Sequence, residues 1–227
     1  MIKMPDLTTI AGIPTAITDN HNEVLRYWKG KNRTLFHIDA HHDMWEGIKY
    51  HGTSIDNYID GAGISDFICP AVHCKVISDI YWLNPHLNEA DKLKYFDSQT
   101  RVLDTLESKG NLKWDLGAVW EYGSNIKRDQ INLDNPLILD IDFAGFSCRQ
   151  DCPFEGSGYN TEQGYEKRIE QTMETLSQLK RPDIVTITRS NGKNILYQIG
   201  FRFEFVPKKF QHEVEQLTLD GLKELYK

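Results

Sequence analysis

The stretch His37-Ile38-Asp39-Ala40-His41-His42-Asp43 follows directly on the apolar run Thr34-Leu35-Phe36. An apolar run that ends in imidazoles and carboxylates reads as a buried strand delivering ligands at its carboxyl end. Further along, Pro136-Leu137-Ile138-Leu139 empties into Asp140-Ile141-Asp142, two more carboxylates at a spacing of two. Alternate side chains of an extended chain share a face. Asp140 and Asp142 therefore project together, and so do Asp39, His41 and Asp43 if the chain stays extended past Ala40, with His42 pointing away. Hard divalent ions prefer carboxylate oxygen, and imidazole adds a borderline ligand. Such a set exceeds what one tetrahedral ion needs and suits two ions that share bridging carboxylates. Two metals about 3.5–4 Å apart bind one hydroxide between them and lower the pKa of the parent water, which supplies a nucleophile at neutral pH.

Elements on either side of these runs alternate. A helix is expected over residues 20–29, capped by Asp19 or Asn20, with Val24, Leu25 and Trp28 on one face. Strands are expected at 34–38, 116–120, 137–141 and 183–188, each short and nearly continuous in apolar character, as a sheet covered on both faces requires. Asn160 with Gln163 has the wording of a capping box for a helix whose inward stripe is Tyr165, Ile169, Met173, Leu176 and Leu179, ending before Pro182. Residues 137–188 then form a strand-helix-strand unit with a parallel, right-handed crossover. A last amphipathic helix spans 210–226, with Phe210, Val214, Leu217, Leu222 and Leu225 inward. Between residues 55 and 110 the pattern is poor, with helical pieces near Asn57 and over 88–106. These elements describe a three-layer α/β/α sandwich on a mainly parallel sheet, with the ligands at the carboxyl ends of its strands.

The 227 residues suit one domain with a substantial core. An excess of acidic over basic residues, 33 against 26, gives a net charge of −7, which argues against a nucleic-acid surface and is compatible with a cationic substrate. No apolar run approaches the roughly 20 residues that span a bilayer, and residues 1–15 lack a signal-peptide layout. A soluble, cytoplasmic protein is expected. Cys69, Cys74, Cys148 and Cys152 are too few for a disulfide scaffold and lack the CxxC wording of a zinc knuckle, so they read as buried or idle thiols.

Asp-Ala-His-x-Asp at 39–43, together with Asp-x-Asp at 140–142, resembles the ligand set of the arginase, agmatinase and deacetylase superfamily, whose ureohydrolase branch binds two manganese ions. The family's remaining ligand is a histidine at the start of the helix before the first motif, and His21, in Thr18-Asp19-Asn20-His21, stands at that place although the wording differs. The resemblance implies that His21, Asp39, Asp43 and Asp140 hold one ion, that Asp39, His41, Asp140 and Asp142 hold the other, and that Asp39 and Asp140 bridge. His51-Gly52 falls where arginases place a histidine that shuttles a proton to the leaving amine, at a shorter spacing. An imidazole titrates in the right range for that role.

One departure stands out. Arginases pair the substrate guanidinium with a glutamate at a later strand end, and the corresponding stretch here, residues 184–190, has no acid. Glu121 is the candidate replacement, with Glu46 and Asp97 as alternatives. The chain also lacks the arginases' extended wording around Asp-x-Asp and their loop for a free amino acid. Its Leu-Asp-Ile-Asp-Phe and His-Ile-Asp-Ala-His-His-Asp-Met-Trp runs resemble the compact peptide arginases, which convert arginine residues of ribosomal precursor peptides to ornithine. That resemblance implies an arginine-containing precursor peptide as partner, an open groove for it, and two Mn2+ ions. A small-molecule ureohydrolase, a deacetylase-like amidohydrolase and a non-catalytic metal-binding module are the alternatives.

Overall fold

The two apolar runs that end in ligand motifs become adjacent strands at the centre of a sheet. The computed structural model describes residues 6–41, 43–44, 52–86, 112–115, 134–149, 160–161, 163–190 and 206–227. Within them lie β1 (Asp6–Ile10), β2 (Ile13–Thr18), β3 (Arg33–Ile38), β4 (Ile77–Leu83), β5 (Leu112–Asp115), β6 (Leu137–Asp142) and β9 (Ile184–Thr188). A two-stranded ribbon is formed by β7 (Cys148–Arg149) and β8 (Asn160–Thr161). The helices are α1 (Ile68–His73), α2 (Tyr165–Leu176) and α3 (Lys208–Leu225). The main sheet has the order β1-β2-β9-β6-β3-β4-β5, and every pairing except β1 with β2 is parallel.

Strand register divides the apolar runs between two cores. Phe36, Ile38, Leu137, Leu139, Ile141, Val185 and Ile187 pack with Tyr165 and Ile169 of α2 and Val214 and Leu222 of α3. Leu35, Ile80 and Ile138 face the other way, against Val24, Leu25, Trp28, Phe67 and Ile68. This is the expected α/β/α sandwich. Neighbours in these strands alternate between two buried faces, so the runs are apolar throughout rather than every second residue. No described helix is long and apolar enough to cross a membrane.

Strand order also places the site. After β3 the chain moves to β4 on one side, and after β6 it moves to β9 on the other. Oppositely departing connections open a crevice at the carboxyl ends of β3 and β6, which is where open α/β sheets bind their ligands.

Several elements differ from expectation. The first helix is a 3₁₀ turn over His21–Arg26, with Glu23 reaching back to the Asn20 amide at 3.4 Å. Its two turns are too short to show a full amphipathic period. The cap of α2 is Gly164, at φ 79, and Asn160 belongs to β8, so the capping-box wording at Asn160 is a coincidence of composition. Leu217 on α3 is 37% exposed, while Thr218 takes the buried position. β5 lies just before the expected strand at 116–120, which is outside the described residues, as is 88–106. Cys69, Cys74 and Cys148 are buried thiols; Cys152 is not among the described residues.

Candidate metal centre

On the face of the sheet toward α1, β3, β6 and β9 present matched rows. Leu35, Ile138 and Ile184 make an apolar row. Two residues on, His37, Asp140 and Thr186 stand side by side. At the strand ends Asp142 stands beside Thr188, and Asp39 follows the last residue of β3. Side-chain alternation thus carries the surface from hydrocarbon to ligands in one step of two residues. The end of β3 approaches the turn after β6 closely: a Cβ on Gly145 would lie 3.1 Å from the Asp39 Cα, tight enough that the backbone would have to give by a few tenths of an ångström, so glycine eases the approach.

His21, carried by the turn after β2, projects into the middle of these carboxylates. Its Nδ1 is 2.8 Å from Asp43, 3.0 Å from Asp142 and 3.3 Å from Asp39, and its Nε2 is 2.8 Å from Asp140. The ring leans on Phe67, 4.5 Å between centroids, so the cluster has an apolar wall. Asp39, Asp43, Asp140 and Asp142 are all buried. Among the described residues every ion-pair partner of these four carboxylates is an imidazole. Surrounding groups fix them further. Thr186 donates to Asp140 Oδ1 at 2.6 Å, and Ser190 Oγ lies 2.5 and 2.6 Å from the two oxygens of Asp142. Asp43 and Ser190 both hold left-handed backbones, φ 52 and 51, a strain that folded proteins keep mainly at functional sites.

The electrostatics follow from burial and crowding. Burial alone would lower the pKa of His21, but the charges of Asp140 and Asp142 carry it well above the ordinary imidazole range. Burial likewise works against the ionised Asp140 and is outweighed by His21 and His37, which hold its carboxyl below the usual range. Asp43 is pushed up to about 6 by burial and by the Asp39 charge. Four carboxylates set in an apolar wall demand positive charge in return. A proton on His21 meets part of that demand, and divalent cations meet it with the donor types they prefer. Ligand atoms of His21, Asp39 and Asp43, and those of His21, His37 and Asp140, lie within 4.8 Å of one another.

No family model and no curated protein matches the sequence. Among solved structures, arginase from Bacillus cereus superposes over 93% of this chain and 70% of its own, at 12% identity and a TM-score of 0.50. The arginase of Helicobacter pylori superposes over 94% of this chain and 73% of its own, at 14% identity and a TM-score of 0.50. The fold is arginase-like.

This fold gathers His21, Asp39, Asp43, Asp140 and Asp142 at one point. His41 stands beside them, its Nδ1 3.3 Å from Asp39 Oδ1. Burial lowers its pKa less than the charge and hydrogen bond of Asp39 raise it, and the value reaches about 9. Asp43 arrives through its left-handed turn and not through strand alternation, because β3 ends at Ile38. His51, Glu121, Glu46 and Asp97 lie outside the described residues. At the end of β9, level with Asp142, stands Thr188, whose hydroxyl is 3.0 Å from that of Thr18, a neutral pair where an acid was sought.

Sequence reasoning passed over four residues of this site. His37 is fully buried, with Nδ1 2.9 Å from Asp140 and Nε2 3.1 Å from the His41 carbonyl. Thr186 and Ser190 hold Asp140 and Asp142, and Gly145 permits the close approach to Asp39. Only His37 carried a signal in the sequence, since it lies two positions before Asp39 on the same strand face.

Proposed function

We propose that the protein is a two-metal hydrolase that cleaves the guanidinium group of arginine residues in a precursor peptide, leaving ornithine and releasing urea. The convergence of four buried carboxylates on His21 supports this reading. His21, Asp39, Asp43 and Asp140 would hold one ion, and Asp39, His41, Asp140 and Asp142 the other, with Asp39 and Asp140 shared. The oxygen-rich donor set suits manganese. Two such ions supply an activated water at neutral pH when bound.

The chain's own residues do the rest. The carboxylate cluster lends the crevice a negative field that draws in a cationic guanidinium. Thr186 and Ser190 keep Asp140 and Asp142 from turning away, so the ligand oxygens are fixed before substrate arrives. His51 transfers a proton to the departing amine, and Glu121 pairs with the guanidinium in place of the acid that Thr188 does not provide. A peptide substrate accords with the missing loop for a free amino acid.

The deciding experiment is mass spectrometry of an arginine-containing peptide after incubation with the manganese-loaded protein. Each modified site should lose about 42 Da, the CN₂H₂ unit between arginine and ornithine, and release one urea. Turnover of free arginine or agmatine instead would make it a small-molecule ureohydrolase. Full metal loading without urea from any guanidino compound would leave a binding module.

A further inference from the structure

We propose that His37 is itself a metal ligand, binding the same ion as His21 and Asp140 through its Nδ1; this rests on the two-metal reading above. His37 lies one row deeper than Asp39, between Trp82 of β4 and Asp140 of β6, and is shut off from solvent. Its Nε2 sits 3.1 Å from the carbonyl oxygen of His41. A carbonyl only accepts hydrogen bonds, so Nε2 carries the proton. In a neutral imidazole that leaves a lone pair on Nδ1.

Nδ1 faces a carboxylate oxygen that a second ring also approaches. Nδ1 is 2.9 Å from Asp140 Oδ2, and the same oxygen is 2.8 Å from His21 Nε2. Thr186 donates to Oδ1, which leaves Oδ2 directed between the two rings. Three donor atoms of a metal-binding kind therefore lie within 4.8 Å of one another in a buried space. Without a metal, protons on the two rings balance Asp140, whose hydrogen bonds and charge outweigh burial and raise both imidazoles, and a divalent cation would take the place of those protons. One divalent ion shared by His37 Nδ1, His21 Nε2 and Asp140 satisfies all three. The His41 carbonyl completes the pattern, since a metal-bound imidazole gives its other N–H to a carboxylate or a backbone carbonyl, which sets its tautomer and aims its lone pair.

The consequence is asymmetry. An ion on the Nε2 side of His21 has two imidazoles and Asp140, whereas Asp39, Asp43 and Asp142 face Nδ1, and the nitrogen-richer position favours borderline metals. It also explains a histidine in the interior of β3, where an apolar residue would fill the space without a polar atom to satisfy.

A direct test needs no substitution. Full-length protein labelled with 15N-histidine and loaded with 113Cd2+ should show a one-bond cadmium–nitrogen coupling at Nδ1 of His37. A coupling at His21 with none at His37 overturns the proposal. Independently, His37→Asn and His37→Phe should bind one of two Mn2+ ions at least about tenfold more weakly by calorimetry. Unchanged affinity for both ions overturns it, and weakening without a cadmium coupling in the wild type makes His37 an outer hydrogen-bond donor, which also overturns it. Should either variant fail to fold, the wild-type coupling decides. A wild-type protein that takes up no metal brings down the proposed function and this inference together, whereas two ions bound without His37 bring down this inference alone.

Discussion

His86 sits just past the end of β4, buried, with its Nε2 donating to the Ala144 carbonyl at 2.7 Å and its Nδ1 without a hydrogen-bond partner among the described residues. Burial, with the charge of Arg168 adding to it, pushes its pKa down to about 3. The fold therefore keeps this imidazole neutral. Below the ordinary value of 6.5 the unfolded chain takes up a proton that the folded chain refuses, so this group's share of stability falls as pH drops from 6.5 toward 3. Between pH 7 and 5 the loss is about 2 kcal/mol. Urea denaturation of the metal-free protein should show that loss in wild type and a smaller one in His86→Gln; parallel curves would count against it. Asp140 stands in a different position, touched by two imidazoles and Thr186. Asp140→Ala should abolish metal uptake and activity together, and two ions retained in that variant would contradict the shared-ligand assignment. His51→Ala should keep both ions and lose rate by about 10²–10⁴ if the side chain moves a proton.

At the scale of elements, the 3₁₀ turn, β3, β6 and β9 deliver the site, and α3 braces it from behind. Arg189, just past β9, makes a two-pronged pair with Glu215 of α3 at 2.8 and 2.9 Å, and Gln211 donates to the Arg189 carbonyl. The next residue, Ser190, holds Asp142. The docking of α3 depends on which residues it buries. Leu222 is fully buried, whereas Leu217 is 37% exposed. Leu222→Ala should cost about 2–5 kcal/mol and Leu217→Ala less than about 0.5 kcal/mol, read from chemical denaturation. Equal effects would mean that α3 is rotated from the orientation described. The helical period alone had turned Leu217 inward, and the rotation is set instead by Val214 and Leu222, which pack into the core with the sheet and α2, and by the buried Thr218.

For the whole molecule, four buried carboxylates gathered at one crevice are a cost that positive charge must offset. Metal binding would lower that cost only in the folded chain, because the candidate ligands come from segments far apart in sequence. Stripping the ions with a chelator should lower the melting temperature, and Mn2+ should restore it. An ion at a hundred times its dissociation constant contributes about 2.7 kcal/mol, and in a chain of this size each kcal/mol moves the midpoint by about 2–4 °C. An unchanged midpoint on chelation and resupply would argue that the cluster binds no metal.

The sequence by itself determined the layered α/β class and named the two acidic motifs, because strand runs buried on both faces are apolar throughout and because ligands spaced by two share a strand face. His21, ahead of the first motif, was singled out only by the resemblance to a family ligand set. The rest was decided by tertiary structure. That Asp140 lies beside His37 and Thr186 depends on parallel register between strands that are distant in the chain. Asp43 reaches the cluster through a left-handed turn that no periodicity signals, and the end of β9 presents threonine to threonine instead of an acid. Local spacing fixes which way a side chain points along its own strand; only the order and register of the sheet fix what it meets there.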